Sequence, residues 1–404
     1  MPEAPILVLS ASVPNSFGVG GSYMSSLWRA FHRPCVVAHL QDRRAGESPA
    51  AQVACPTVNL PRRYEPAFKP VQGWPGSLAA LAGARWMLAR HVRRMVAPAA
   101  EFGRAHRVGT VLAVLECPTA MLLAAPLADT LQCDLVSLVW DMPEHLLNNL
   151  GHVGASRRVV MRGFAKTMRR SRKVAVISDA MAQALESGYG SDTAVLHQPV
   201  EPEWCASIRD RQHGAAASAS EWVIGFAGSV TARHELELLM QALDACGWRL
   251  NGRRVRLRVF GLRLLCEARS ARCVEYRGYL PSTAEVVAGL AECDALFLPQ
   301  SFETHQRLFT EYSFPTKLTT YLAARRPILV LTPEYGTLAG FFRNRAYPLL
   351  CTRNDVASVG GMLEAVATRP ELACEAVRRL DAIAASEFSK PLFQRRVAEL
   401  FACA

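Results

Sequence analysis

Short apolar runs recur along this chain with amphipathic stretches between them. Residues 6–9 (ILVL), 35–38 (CVVA), 111–115, 135–139 and 173–177 are too short and too continuously apolar for surface helices, and they read as buried strands. A helix is expected between each pair, the first over about 22–31 after a loop carrying Gly18, Gly20 and Gly21. Strands that alternate with helices build a parallel sheet covered on both faces. The alternation stops at Pro199, Pro202 and the run HGAAASAS, then restarts with strands at 223–228, 255–260, 294–298 and 328–331. The pattern predicts an α/β protein of two Rossmann-like, doubly wound domains, 1–198 and 222–385, joined by a linker, 199–221. A C-terminal helical segment, 386–404, is free to pack on either domain or to cross back to the first. The 404 residues suit two domains of ordinary size.

Folds of this kind bind ligands at the carboxyl ends of their strands, and the default site is a cleft that the two domains face. Its most informative wall is EYSFPTKLTTYLAARRPILV, residues 311–330. Ser313 is a candidate N-cap, Pro315 suits a first helical turn, and Thr316 and Lys317 add a hydroxyl and an ammonium beside free backbone N–H groups. A helix N-terminus so equipped is suited to a diphosphate. Ser and Pro are also ordinary helix-start residues, and that plainer reading stays open.

In the first domain, Gly18, Gly20 and Gly21 either let backbone approach a ligand or serve a tight turn. They lack the spacing and downstream acid of a dinucleotide fingerprint, which disfavours a nicotinamide dehydrogenase. Asp141 in SLVWDMPEHLL and Glu116 after VLAVL each end a buried strand, where a carboxylate faces the ligand side. Each is a candidate for orienting or deprotonating a hydroxyl, and each equally suits the start of the next helix. His145 and His152 read as polar surface.

The pair GFAGSVTARHELELLMQAL (225–243) and SFPTKLTTYLAARRPILV (313–330) resembles the donor-binding domain of bacterial family-4-like glycosyltransferases with the GT-B fold. The resemblance covers the layout of essentially the whole chain. It implies metal-independent sugar transfer from a nucleotide-diphosphate donor to a hydroxyl acceptor, usually with retention of configuration, and no cofactor beyond the nucleotide-sugar co-substrate. Carried over, Gly228, Ser229, Ser313, Pro315, Thr316 and Lys317 line the diphosphate site. Tyr279 stacks on the base and Leu280 reads its edge, although a core aromatic would explain Tyr279 as well. The family's paired glutamates are missing, since Thr320 and Tyr312 stand in their places with Glu311 one position off. Ser229 and His234 replace the usual Arg and Lys, and Arg325 replaces a small residue. Arg233, His305, Arg307 and Lys317 are then the cations left for the phosphates, and Thr320 for a sugar hydroxyl. The departures leave two rivals: a non-catalytic GT-B partner subunit of a glycan-assembly complex, and a related cyclitol-coupling or epimerising enzyme.

Charge narrows the acceptor. Forty-six Lys and Arg against 35 Asp and Glu give a net charge of +11, a field that draws anions. Residues 157–173 (RRVVMRGFAKTMRRSRK) hold eight basic residues and no acid, with Val159, Val160, Gly163, Phe164, Thr167 and Met168 on one helical face. With the second basic stretch, 85–94, this reads either as a solvated face or as a contact for anionic lipid headgroups, which would suit a lipid-linked acceptor in surface-glycan assembly. Nothing resembles a nucleic-acid recognition module. Twelve cysteines, never closer than seven residues apart, form no Cys-x-x-Cys pair and read as reduced thiols, so no metal site is expected. An acidic start followed by a short apolar run, and no apolar stretch of about 18 residues, point to the cytoplasm, either free or at the inner membrane face.

Overall fold

A computed structural model of the chain describes residues 3–14, 18–42, 54–62, 74–209, 220–261 and 272–402, with side chains of the helix Trp74–Ala105 described from Leu88 onward. The chain forms two compact units, Met1–His197 with Gln394–Ala404, and Gln198–Phe393.

The first unit is built on seven parallel strands: β1 (Ile6–Ser10), β2 (Cys35–Asp42), β3 (Thr57–Arg62), β4 (Thr110–Val114), β5 (Asp134–Val139), β6 (Lys173–Val176) and β7 (Thr193–Val195). Their order is β3-β2-β1-β4-β5-β6-β7, with Val8 level with Val37 on one side and Leu112 on the other. β1 and β4 are wholly buried, which explains why they are apolar without alternation. The chain winds outward from β1, then returns to add β4 on its other side. The connections after β1 and β4 therefore part at the carboxyl edge and leave a crevice there. The helix Pro118–Leu131 covers one face and the helix Gly154–Arg170 packs on it. Gly163 permits that approach, since a Cβ there would lie 2.5 Å from Leu122 Cδ2.

The second unit repeats the plan with β8 (Glu221–Ala227), β9 (Arg249–Leu250), β10 (Arg253–Phe260), β11 (Val274–Gly278), β12 (Ala295–Pro299), β13 (Ile328–Leu331) and β14 (Leu350–Cys351). The parallel order is β11-β10-β8-β12-β13-β14, with the two-residue β9 antiparallel on β10. Its crevice falls between β8 and β12. The buried Tyr321 hydroxyl pins these two strands, accepting from the Ala227 N–H at 2.9 Å and donating to the Phe297 carbonyl at 3.2 Å.

Several expectations are corrected. Gly18, Gly20 and Gly21 lie within the helix Gly18–Ala30, not in a loop before it. The region read as a linker contains the helix Pro202–Arg209, which packs on the helix Thr283–Ala291. Of the HGAAASAS run, only Ser220 falls among the described residues. β3, β7, β9, β11 and β14 were not anticipated. They lie at or near sheet edges, where half-buried positions break the apolar run; β3 buries only Leu60. The C-terminal helix, Lys390–Phe401, starts in the second unit and ends in the first. There Phe401 meets Phe31 edge-on at 5.8 Å and Arg396 donates to the Val195 carbonyl at 3.0 Å.

Candidate functional site

The carboxyl edge of the second sheet ends in glycine on three neighbouring strands. Gly228 after β8, Gly261 after β10 and Gly278 closing β11 have φ of +92°, +139° and +67°. At Gly261 a Cβ would stand 3.0 Å from the Gly228 carbonyl oxygen, so the chain passes too close there for a side chain. Lys317 lies across this edge. Its Cε is 3.1 Å from where a Cβ on Gly228 would be, its Nζ donates to the Ser229 carbonyl, and it sits 4.4 Å from the centre of the Phe226 ring. Burial pushes the ammonium down to about 7. The residue keeps partial solvent access, and its ammonium has two N–H donors beyond the one given to Ser229.

Lys317 opens the helix Lys317–Ala324. Thr316 is its N-cap, without a side-chain capping hydrogen bond. The expected cap, Ser313, instead lies beyond the end of the helix Arg307–Tyr312 in extended conformation, and its carbonyl accepts from Thr337 Oγ1 at 2.8 Å. Pro315 does start the turn, its carbonyl accepting from the Leu318 N–H at 3.0 Å. Thr320 is half-buried one turn further on.

Sequence reasoning missed what braces this segment. Gln300, buried after β12, donates to Thr337 Oγ1 at 3.1 Å and to the Thr310 carbonyl at 3.4 Å, and its Oε1 accepts from Thr332 Oγ1 at 2.8 Å and from the Leu338 N–H at 3.2 Å. This fully used amide ties β12, β13 and the chain leading to Lys317 into one unit. Glu235, also buried, accepts from the Phe302 N–H at 2.8 Å, and burial raises its carboxyl. The only signal for either was a polar residue beside an apolar strand or in an apolar helix face.

The other expected cations are held elsewhere. Arg233 pairs with Glu237 at 2.8 Å. Arg307 pairs with Glu311 at 3.4 Å and covers the Tyr335 ring at 4.8 Å, and His305 lies 3.7 Å from Glu303. Tyr279 is 74% exposed, which removes the core reading and leaves its ring available for stacking, with Leu280 half-buried beside it.

On the first sheet, Glu116 stands at the crevice beyond β4. Its Oε1 accepts from Ser10 Oγ at 2.7 Å and from the N–H groups of Ala11 and Ser12 at 2.7 and 2.8 Å, and its Oε2 accepts from Ser12 Oγ at 2.5 Å. Gly20 lies against the same loop, a Cβ there falling 2.9 Å from Ser12 Oγ and 3.3 Å from Trp140 Cζ3. Close approach, not a left-handed turn, is what Gly20 supplies. Asp141 is half-buried beyond β5 and does not cap the helix Pro143–Asn149, whose N-cap is Met142. His145 and His152 are buried, contrary to the surface reading. His145 Nε2 lies 2.9 Å from Asn149 Nδ2 and His152 Nδ1 2.5 Å from Ser156 Oγ. Burial lowers the His145 imidazole, partly offset by the Asp141 charge.

No protein-family model and no curated protein matches the sequence. Solved structures match over nearly the full length. The Anabaena protein Alr3699/HepE, solved with UDP and glucose, aligns at a TM-score of 0.63 and 16% identity over 98% of this chain and 99% of that one. Sucrose-phosphate synthase from Thermosynechococcus elongatus aligns at 0.65 and 13% identity over 99% and 98%. The α,α-trehalose 6-phosphate synthase of Burkholderia multivorans aligns at 0.64 and 14% over 99% and 96%. At these identities the likeness is one of fold: two parallel α/β sheets that match solved structures of the GT-B fold.

Proposed function

We propose that the protein is a glycosyltransferase that moves a sugar from a nucleotide-diphosphate donor to a hydroxyl acceptor. The observation that carries this reading is the placement of Lys317 over the glycine edge of Gly228 and Gly261, in a fold shared with a protein solved with UDP-glucose. Glycines let a pyrophosphate approach backbone, and the Lys317 ammonium with the first N–H groups of its helix meets the charge that builds as the diphosphate departs. Thr316 and Ser229 lie beside these donors. Tyr279 offers a stacking face for the base, and Thr320 a hydroxyl for the sugar where the resembling enzymes use a carboxylate. On the first sheet, Asp141 orients the acceptor hydroxyl.

Calorimetric titration with a panel of nucleoside diphosphates and their sugars tests the donor assignment, UDP-sugars first. Saturable binding of one class is the expected result, and no binding by any member would remove the enzymatic reading. With a substrate pair in hand, Asp141→Asn is expected to lower turnover about tenfold, the worth of one hydrogen bond to the acceptor, with donor affinity unchanged. Full turnover in that variant takes Asp141 out of the mechanism.

A further inference from the structure

Charge is unevenly divided between the units. The first holds 23 Lys and Arg against 14 Asp and Glu, and the second holds 23 against 21, so nine of the eleven excess positive charges lie in the first. The second unit also shows how this protein arranges a solvated helix: Arg233 pairs with Glu237, Arg307 with Glu311 and Arg379 with Glu375, each one turn apart.

The helix Gly154–Arg170 breaks that pattern. GASRRVVMRGFAKTMRR contains no acid. It buries Val160, Phe164, Thr167 and Met168 and turns Arg158, Arg162, Lys166 and Arg169 outward. Positions 158, 162, 166 and 169 share one stripe, where like charges a turn apart repel and work against the helix. Lys166 and Arg170 reach Asp129 at 2.9 and 2.8 Å, whereas Arg158, Arg162 and Arg169 form no ion pair among the described residues. The helix Trp74–Ala105, packed alongside, exposes Arg93 and Arg94 as well. At the N-terminal end of the stripe Val153 is 56% exposed.

A repelling stripe of unpaired arginines ending in an exposed aliphatic side chain is the composition of a face that meets an anionic surface. We infer that the outer face of the helix Gly154–Arg170, with Val153 at its tip, docks on an anionic lipid bilayer. Arginines meet headgroup phosphates while Val153 enters the interface. Among the described residues no helix is long and apolar enough to cross a membrane, so the contact is one of surface only. Nucleic acid fits less well, because among the described residues of this unit the exposed large apolar side chain is aliphatic and offers no stacking face to a base. In a parallel sheet the connection after a strand leaves from the carboxyl edge, so the stripe begins on the side of the first unit that carries Asp141.

Flotation of the full chain with vesicles of phosphatidylcholine, with and without phosphatidylglycerol, tests the surface. Binding is expected only to the anionic vesicles. It should vanish as salt rises from about 0.1 to about 1 M, which shortens the screening length from about 10 to about 3 Å. Each basic side chain near such a surface contributes about five-fold in partitioning, so Arg158→Glu/Arg162→Glu/Arg169→Glu should lower binding well over tenfold, with a melting temperature equal to or above that of the parent. The matched change on the second unit, Arg249→Glu/Arg254→Glu/Arg272→Glu, should keep most of it. If the triple reversal does not fold, Arg158→Gln/Arg162→Gln carries the same test. Equal losses from both units would reduce the effect to net charge and overturn the docking face. Binding to duplex DNA or RNA under conditions where anionic vesicles fail would overturn it too.

Discussion

Lys317→Ala is expected to weaken binding of a nucleotide sugar by roughly 100-fold while leaving the fold intact. A hydrogen bond to a charged group contributes about 1.5–3 kcal/mol, and this ammonium has two donors beyond the one given to Ser229. The side chain runs along the sheet edge, whereas Leu318, Tyr321 and Leu322 of the same helix carry its packing and are buried. Truncation therefore removes a ligand contact and little of the core. The pH dependence has a definite sign. Burial places the free ammonium at about 7, so it loses its proton as pH rises through that value, and affinity falls between pH 6 and 8. A nucleotide sugar is the right probe because its pyrophosphate diester does not titrate in this range. Lys317→Arg should bind with a flatter profile, since guanidinium stays charged. The same shift acts on stability: between about 7 and the ordinary lysine value of 10.5 the unfolded chain holds a proton that the folded chain has released, so this group adds stability as pH rises. Unchanged affinity in Lys317→Ala takes the diphosphate away from this edge.

The central strands were legible in sequence because they are buried on both faces and leave unbroken apolar runs, as β1, β4 and β13 show. β3 and β11, half open to solvent, carry no such run. The candidate-site segment was legible for a different reason: Pro315 and Lys317 are local signals, and one helix start brings them together. What the sequence could not give was partnership over distance. Arg233 and Arg307 stand beside the motif in sequence, and each also has an acid one turn along its own helix with which it pairs. Gln300 gathers Thr310, Thr332 and Thr337 from three separate segments, a coincidence that no spacing rule reports. Ser313 lost its expected capping role because the preceding helix runs on to Tyr312, leaving Ser313 as its terminus and Thr316 as the start of the next.

Glu116 looked like a catalytic carboxylate because it ends a buried strand. Its surroundings support a different role, holding the segment from Ser10 to Ser12 at the crevice of the first sheet. Glu116→Ala leaves the Ala11 N–H without its acceptor, while the buried Ser10 hydroxyl keeps the Ser12 carbonyl at 2.7 Å and the Ser12 N–H keeps Ser10 Oγ at 3.1 Å. An unmet donor of this kind costs about 1–3 kcal/mol, and a loss of that size is expected. For a unit of this size that lowers the melting temperature by about 5 °C. Glu116→Gln should lose far less. Its amide oxygen still accepts from the two backbone N–H groups, and the Ser12 hydroxyl can turn to accept from the amide nitrogen. The pair of variants separates the two roles. A residue that only positions the loop keeps turnover within about tenfold in Glu116→Gln, whereas a general base loses about 10²–10⁴-fold in the same variant. Donor affinity, set on the other sheet, should be unchanged in both. A Glu116→Gln protein that melts like its parent but has lost turnover by that larger factor would return Glu116 to the chemistry and end the positioning role.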